Sequence, residues 1–189
     1  AGIWCNKGEG GLSPEHLESG EDIVFQIGTA NYGVRDASGK LDEAKLAAVV
    51  MYKQVRMFEI KRSQGAKLGK GGILPGAKVT AEIARIRAIH LGQDPVSANR
   101  NPGINSAEDL LDAIARVEDI TGKPSGFEVL IGAYGWLDEL CTVIAQRGTE
   151  HAPDFITIDS ADGGTGAVPA SQTDYMEGPL GESLPVVED

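Results

Sequence analysis

The chain has 189 residues, 41% of them hydrophobic and 24% charged, the proportions of one globular domain rather than of a disordered segment. A formal charge of -11 at pH 7 excludes a nucleic-acid surface, which needs a broad basic field. No apolar run has the length of a membrane span, and the first residues lack the basic and hydrophobic zones of a signal peptide, so a cytoplasmic setting is the expectation.

In chain order, residues 22–28 ("DIVFQIG") form an apolar run that reads either as a strand or as the opening of a helix. Residues 55–60 ("VRMFEI") read as a strand. A helix is predicted from Thr80, burying Ile83 and Ile86, and a second from an N-cap at Ser106 with Asp109 at N3 and Leu110, Leu111, Ile114 and Val117 on one face. Residues 126–132 ("GFEVLIG") and 154–160 ("DFITIDS") are β-rich and nearly apolar, as expected of parallel strands buried on both faces. Between them a helix is expected to turn Leu137, Leu140, Val143 and Ile144 inward, with Cys141 buried as well. This order of strand, glycine-rich loop, helix and strand predicts an α/β fold with crossover connections and ligand-binding loops at the strand ends.

Cys5 and Cys141 are too far apart for a metal-ligand spacing, and both read as free thiols. His16, His90 and His151 are scattered, which argues for surface or capping roles and against a zinc site or a serine triad. The basic run at 59–72 ("EIKRSQGAKLGKGG") fails as a nucleotide phosphate loop: three residues, not four, separate Gly65 from Gly69 and Lys70, and Gly71 stands where Ser or Thr is required. What the run does offer is Lys61 at a strand end, followed by Gln64 and Lys67 at three-residue intervals. These donors are expected to converge on an anionic ligand, with Glu9 able to handle a proton if its loop meets them. Arg62 and Lys70 are expected to solvate the loop.

The segments "GEGGLSP", "EIKRSQGAKLGKGGILPG", "GAYGWLDEL" and "PDFITIDSADGGTGAVP" together resemble the FMN-binding synthase domain of glutamate synthase, most nearly its short synthase-like form without an amidotransferase half. The resemblance covers nearly the whole chain. It implies a single partial (β/α)8 TIM-type barrel domain over residues 1–189, truncated at both ends because a whole barrel takes about 250 residues. Such a cut is expected to expose strand edges and to favour oligomers. The implied activity is FMN-mediated reductive amination of 2-oxoglutarate with ammonia, through 2-iminoglutarate, to L-glutamate. Electrons would come from ferredoxin or a pyridine-nucleotide-linked subunit by way of an iron-sulfur cluster whose ligands lie outside this chain. By the same resemblance Glu9, Gln64 and Lys67 match substrate-holding positions, Glu9 handling the proton. Lys61, Ser63, Gly163, Gly164 and Thr165 match positions at the flavin.

Four departures from the family pattern stand out: Lys7 for threonine, Leu68 for proline, the lack of a histidine near Asn101, and Glu128 where relatives carry a lysine. A carboxylate at residue 128 would repel an anionic reduced flavin unless it is protonated or paired. The alternatives are a non-catalytic barrel segment that binds an anionic metabolite or a partner chain, and an FMN barrel enzyme acting on a different oxoacid or amine.

Overall fold

The computed structural model describes residues 3–65, 71–132, 135–160, 168 and 178–188. Its centre is a five-stranded parallel sheet. The strands are β1 (Cys5–Asn6), β2 (Ile23–Ile27), β3 (Val55–Lys61), β6 (Ser125–Leu130) and β7 (Ile156–Asp159), and they lie side by side in chain order. Every neighbouring pair is parallel. A doubly wound sheet reverses its order part-way, whereas this sheet winds in one direction, as a barrel does. The fold is therefore α/β, with a half-barrel sheet.

The helices follow from local signals. Asp42 caps α2 (Glu43–Val49), Thr80 caps α3 (Ala81–Arg87) and Ser106 caps α4 (Ala107–Thr121), each side chain accepting from the backbone N–H three residues on. Gly122, at φ +62°, ends α4 in the left-handed conformation. Two further helices, α1 (Pro14–Glu18) and α6 (Leu180–Glu188), lie towards the chain ends, and α5 (Gly135–Arg147) connects β6 to β7. Between β3 and α4 the chain makes an antiparallel pair, β4 (Gly72–Ile73) with β5 (Val96–Ser97), with α3 between its strands.

One face of the sheet carries the core. Phe25 and Ile27 of β2, Val55, Phe58 and Ile60 of β3, and Phe127 and Val129 of β6 pack with Leu46 of α2, with Leu110, Ile114 and Val117 of α4, and with Leu140 and Val143 of α5. Strict alternation would not put Val55 and Phe58 on the same side. A register shift between Ile23 and Val24, opposite Val55 and Met57, supplies the extra residue that does so.

The other face corrects the expectation of strands apolar on both sides. It carries Gln26, Glu59, Lys61, Glu128, Thr157 and Asp159, aligned by the pairs Gln26–Glu59, Lys61–Glu128 and Glu128–Thr157. Gln26, Glu59, Glu128 and Thr157 are hidden in sequence because apolar neighbours flank each of them. Residues 22–28 are resolved as a strand.

Two burial expectations also need correction. Cys141 is exposed, because the helical period that turns Leu140 and Val143 inward turns the two residues between them out. Ile83 and Ile86 are half-buried, since α3 belongs to the excursion between β3 and α4 and has no buried residue. Of the histidines, His16 does act as a cap, its Nδ1 accepting from the Ser13 N–H at 3.2 Å. Among the described residues no helix is long and apolar enough to cross a membrane.

Candidate functional site

The loops after β1, β2 and β3 leave the carboxyl ends of adjacent strands and meet there. Glu9 comes from the first, Thr29 from the second, Gln64 from the third. Gln64 is buried, and its Nε2 donates to Glu9 Oε2 at 2.9 Å, to Glu9 Oε1 at 3.1 Å and to Thr29 Oγ1 at 2.9 Å. The Thr29 hydroxyl in turn donates to the Ala98 carbonyl at 2.6 Å. Gly28 makes room for this arrangement: a Cβ there would sit 2.5 Å from the Cβ of Glu9 and overlap its carboxylate. The expected meeting of the Glu9 loop with the basic loop is thus present, with the carboxamide bonded to the carboxylate rather than pointing at an empty pocket.

Lys61, the last residue of β3, reaches the same inner face. Its Nζ donates to Glu128 Oε1 at 2.6 Å, with both side chains largely enclosed. The other Glu128 oxygen accepts from Gln26 Nε2, which also donates to Glu59 Oε1 at 2.6 Å. Glu59, 1% exposed, further accepts from Asn6 Nδ2 at 2.6 Å and from the Thr157 hydroxyl. One connected network therefore crosses all five strands. The Glu128 carboxylate that would repel a flavin by itself is paired in this protein.

Burial is the largest influence on both members of the ion pair. It acts to lower the Lys61 pKa, but Glu128, then Glu9 and Asp159, outweigh it and hold that pKa above its ordinary value. It raises the Glu128 pKa, and the Lys61 ammonium limits the rise. Lys61 accordingly keeps its positive charge across the physiological range.

The remaining sequence candidates fall in several places. Ser63 forms an isolated antiparallel bridge with Arg100, so the segment after β3 is tied to the segment before α4, and the Gln64 N–H donates to the Asn99 carbonyl at 2.9 Å. Arg62 does not merely solvate its loop. Alternation places it on the opposite side from Lys61, where its guanidinium lies 4.1 Å from the centroid of the Trp136 ring. Lys67, Lys70, Gly163, Gly164 and Thr165 lie outside the described residues. Asn6, Gln26, Thr29, Glu59, Thr157 and Asp159 were missed by sequence reasoning. For Glu59 a signal was available, because it precedes Lys61 by two positions in a strand and so shares its face.

A family model described as the conserved region in glutamate synthase matches residues 1–189. The chain belongs to the glutamate synthase family. Among its relatives, the glutamate synthase large subunit-like protein YerD of Bacillus subtilis is 39% identical over 187 residues, which are 99% of this chain and 35% of that protein. The archaeal-type glutamate synthase [NADPH] of Thermotoga neapolitana is 33% identical over 99% of this chain and 34% of its own length. The ferredoxin-dependent chloroplastic glutamate synthase of Spinacia oleracea is 32% identical over 92% of this chain and 11% of its own length. The chain thus spans about a third of the length of the first two of these glutamate synthase relatives.

The family implies FMN, and the donor set on the inner face fits one edge of a flavin ring. It offers a cationic N–H donor in Lys61 and, at the neighbouring strand ends, the Gln64–Glu9 pair, with Gly28 and Gly72 packed against that pair and Gly65 against Asp159. Such a ring carries carbonyl acceptors and N–H donors along one rim, which suit an ammonium and a carboxylate held on one face.

Proposed function

We propose that this chain forms part of the FMN-binding synthase barrel of a glutamate synthase-type oxidoreductase. In the reaction 2-oxoglutarate and ammonia condense to 2-iminoglutarate with loss of water, and the imine then takes up two electrons and two protons to give L-glutamate. FMN, when bound, would supply the hydride to the imine carbon. Relatives named for NADPH and for ferredoxin favour one of these as the source of the electrons.

The observation that carries this reading is the union of Glu9 and Gln64 at the strand ends beside Lys61. In it, the Glu9 carboxylate takes a proton from the nitrogen as ammonia adds to the keto carbon and, protonated in that way, returns it to the amine nitrogen as the imine is reduced. Gln64 orients Glu9 and keeps it from turning away. Lys67 is assigned to a substrate carboxylate, while Lys61, Ser63, Gly163, Gly164 and Thr165 are assigned to the flavin. Lys61 lends positive charge to the rim of the ring, favouring its anionic reduced form.

The purified protein is expected to bind FMN near one equivalent, with 2-oxoglutarate shifting the visible flavin spectrum and Lys67→Ala losing that shift. A protein that takes up no FMN overturns the reading. An unaltered 2-oxoglutarate response in the variant removes Lys67 from the site.

A further inference from the structure

Lys61 is held in a way that its position at the strand end does not require. A lysine finishing a strand beside a ligand cavity has four rotatable bonds with which to reach the ligand. Here its ammonium is fixed at 2.6 Å on Glu128 Oε1. Glu128 is fixed in turn, because Gln26 Nε2 holds its second oxygen, and the same nitrogen is bonded to Glu59. Glu59 is anchored from β1 by Asn6 and from β7 by Thr157. Neither partner of the ion pair can swing out without breaking a buried hydrogen bond, which costs far more than a surface contact.

We propose that Glu128 is a positioning residue that fixes the Lys61 ammonium and withholds part of its charge from an anionic ligand on the inner face, so that FMN is bound more weakly than Lys61 alone would permit. The proposal rests on the reading that FMN binds at this face. It extends that reading by naming the residue that limits affinity. The charges facing Lys61 are Glu128 from β6, Glu59 from its own strand, Glu9 from the loop after β1 and Asp159 from β7. Glu128 is the one in direct contact, so its replacement alters the ammonium most.

The test is FMN titration of Glu128→Gln and Glu128→Met, each with and without Lys61→Met. The amide variant sets an N–H beside the Gln26 N–H, and the methionine variant avoids that conflict, so circular dichroism and melting curves on both show which retains the fold. Loss of one buried charge contact is expected to tighten FMN binding roughly tenfold in the single variants. In the Lys61→Met background the gain should shrink to the direct repulsion that the unpaired carboxylate exerts. A gain undiminished there means that Glu128 acts only by its own charge on the flavin, and overturns the route through Lys61.

Labelling supplies a readout independent of FMN. Removing Glu128 removes the strongest support for the Lys61 charge, so an amine-acylating reagent should modify Lys61 several-fold faster in the apoprotein of either variant, measured by mass spectrometry. Unchanged labelling overturns the proposal whether or not flavin binds. Faster labelling in a protein that never takes up FMN keeps the positioning role and removes the flavin reading.

Discussion

The two faces of one sheet are held by different forces, although the same strands supply both. On the helix side Phe25 and Phe58 lie with ring centroids 5.8 Å apart, among residues that need only volume and shape from their neighbours. On the inner side Gln26, Glu59 and Glu128 are buried and Lys61 and Thr157 partly so, and all of them depend on named partners at hydrogen-bond distance. The apolar face tolerates exchange of one hydrocarbon for another of similar volume, whereas on the polar face removal of a partner leaves a buried group unpaired. The first builds the half-barrel. The second gives its strand ends chemistry.

The largest expected effect tests the apolar side. Phe58 is fully buried, and Phe58→Ala leaves a cavity that α4 cannot close without moving off the sheet, so a loss of about 3–5 kcal/mol in urea unfolding is expected. A loss below about 1 kcal/mol would mean that the helix face is not where the stability resides.

The next tests whether the polar side is as unforgiving. Lys61→Met leaves the Glu128 carboxylate buried beside Glu59 with Gln26 as its remaining described partner, and a loss of about 3 kcal/mol at neutral pH is expected. The sign with pH follows from the raised Lys61 pKa. A lysine raised in the folded state adds stability that is complete below its unfolded value near 10.5 and fades as pH rises through the folded value. The difference between wild type and Lys61→Met should therefore stay level from neutrality to about pH 10 and shrink only above it. A difference that shrinks already near neutrality would show that the lysine is not held charged by its carboxylates.

A smaller effect on stability with a larger one on binding is expected at Gly28. A methyl group there collides with Glu9 at its Cβ as well as its carboxylate, so the whole residue must move and cannot simply swing its tip aside. Gly28→Ala should cost only about 1 kcal/mol in unfolding, because Glu9 lies in a loop. The response of the FMN-loaded protein to 2-oxoglutarate should fall by about tenfold as the Gln64 contact is lost. An unchanged response would detach Glu9 from the proposed chemistry.

Legibility in sequence divides along the same line. The apolar face was readable because burial leaves a pattern: residues 55–60, 126–132 and 154–160 are strands as expected, and Ser106 caps α4 with its side chain on the Asp109 N–H. The short α2 was missed although Asp42 and the helix-forming run after it carry a capping signal. The polar network was unreadable because its bonded partners lie up to 102 residues apart, as Gln26 and Glu128 do, and only strand register brings them together. A single Glu in "GFEVLIG" states its charge, but its partner is set by the alignment of β3 with β6. Arg62 was misread for a related reason, since Trp136 reaches it only through the packing of α5.

The smallest expected effect bounds the comparison from outside. Arg116 on α4 donates through Nε and Nη2 to Glu43 Oε1 on α2, at 2.9 and 2.6 Å, so by distance alone this ion pair equals Lys61–Glu128. Both of its side chains are more than half exposed, however, and solvent there screens the charges and hydrates either one when the other is removed. Arg116→Ala is expected to cost no more than about 0.5 kcal/mol, and less again in high salt. Measured beside Lys61→Met under the same conditions, the pair isolates the effect of enclosure, since the N–O distances match and only the surroundings differ. Equal losses at the two sites would mean that the inner face is far wetter than its burial indicates, and that its network does not govern the charge at the strand ends.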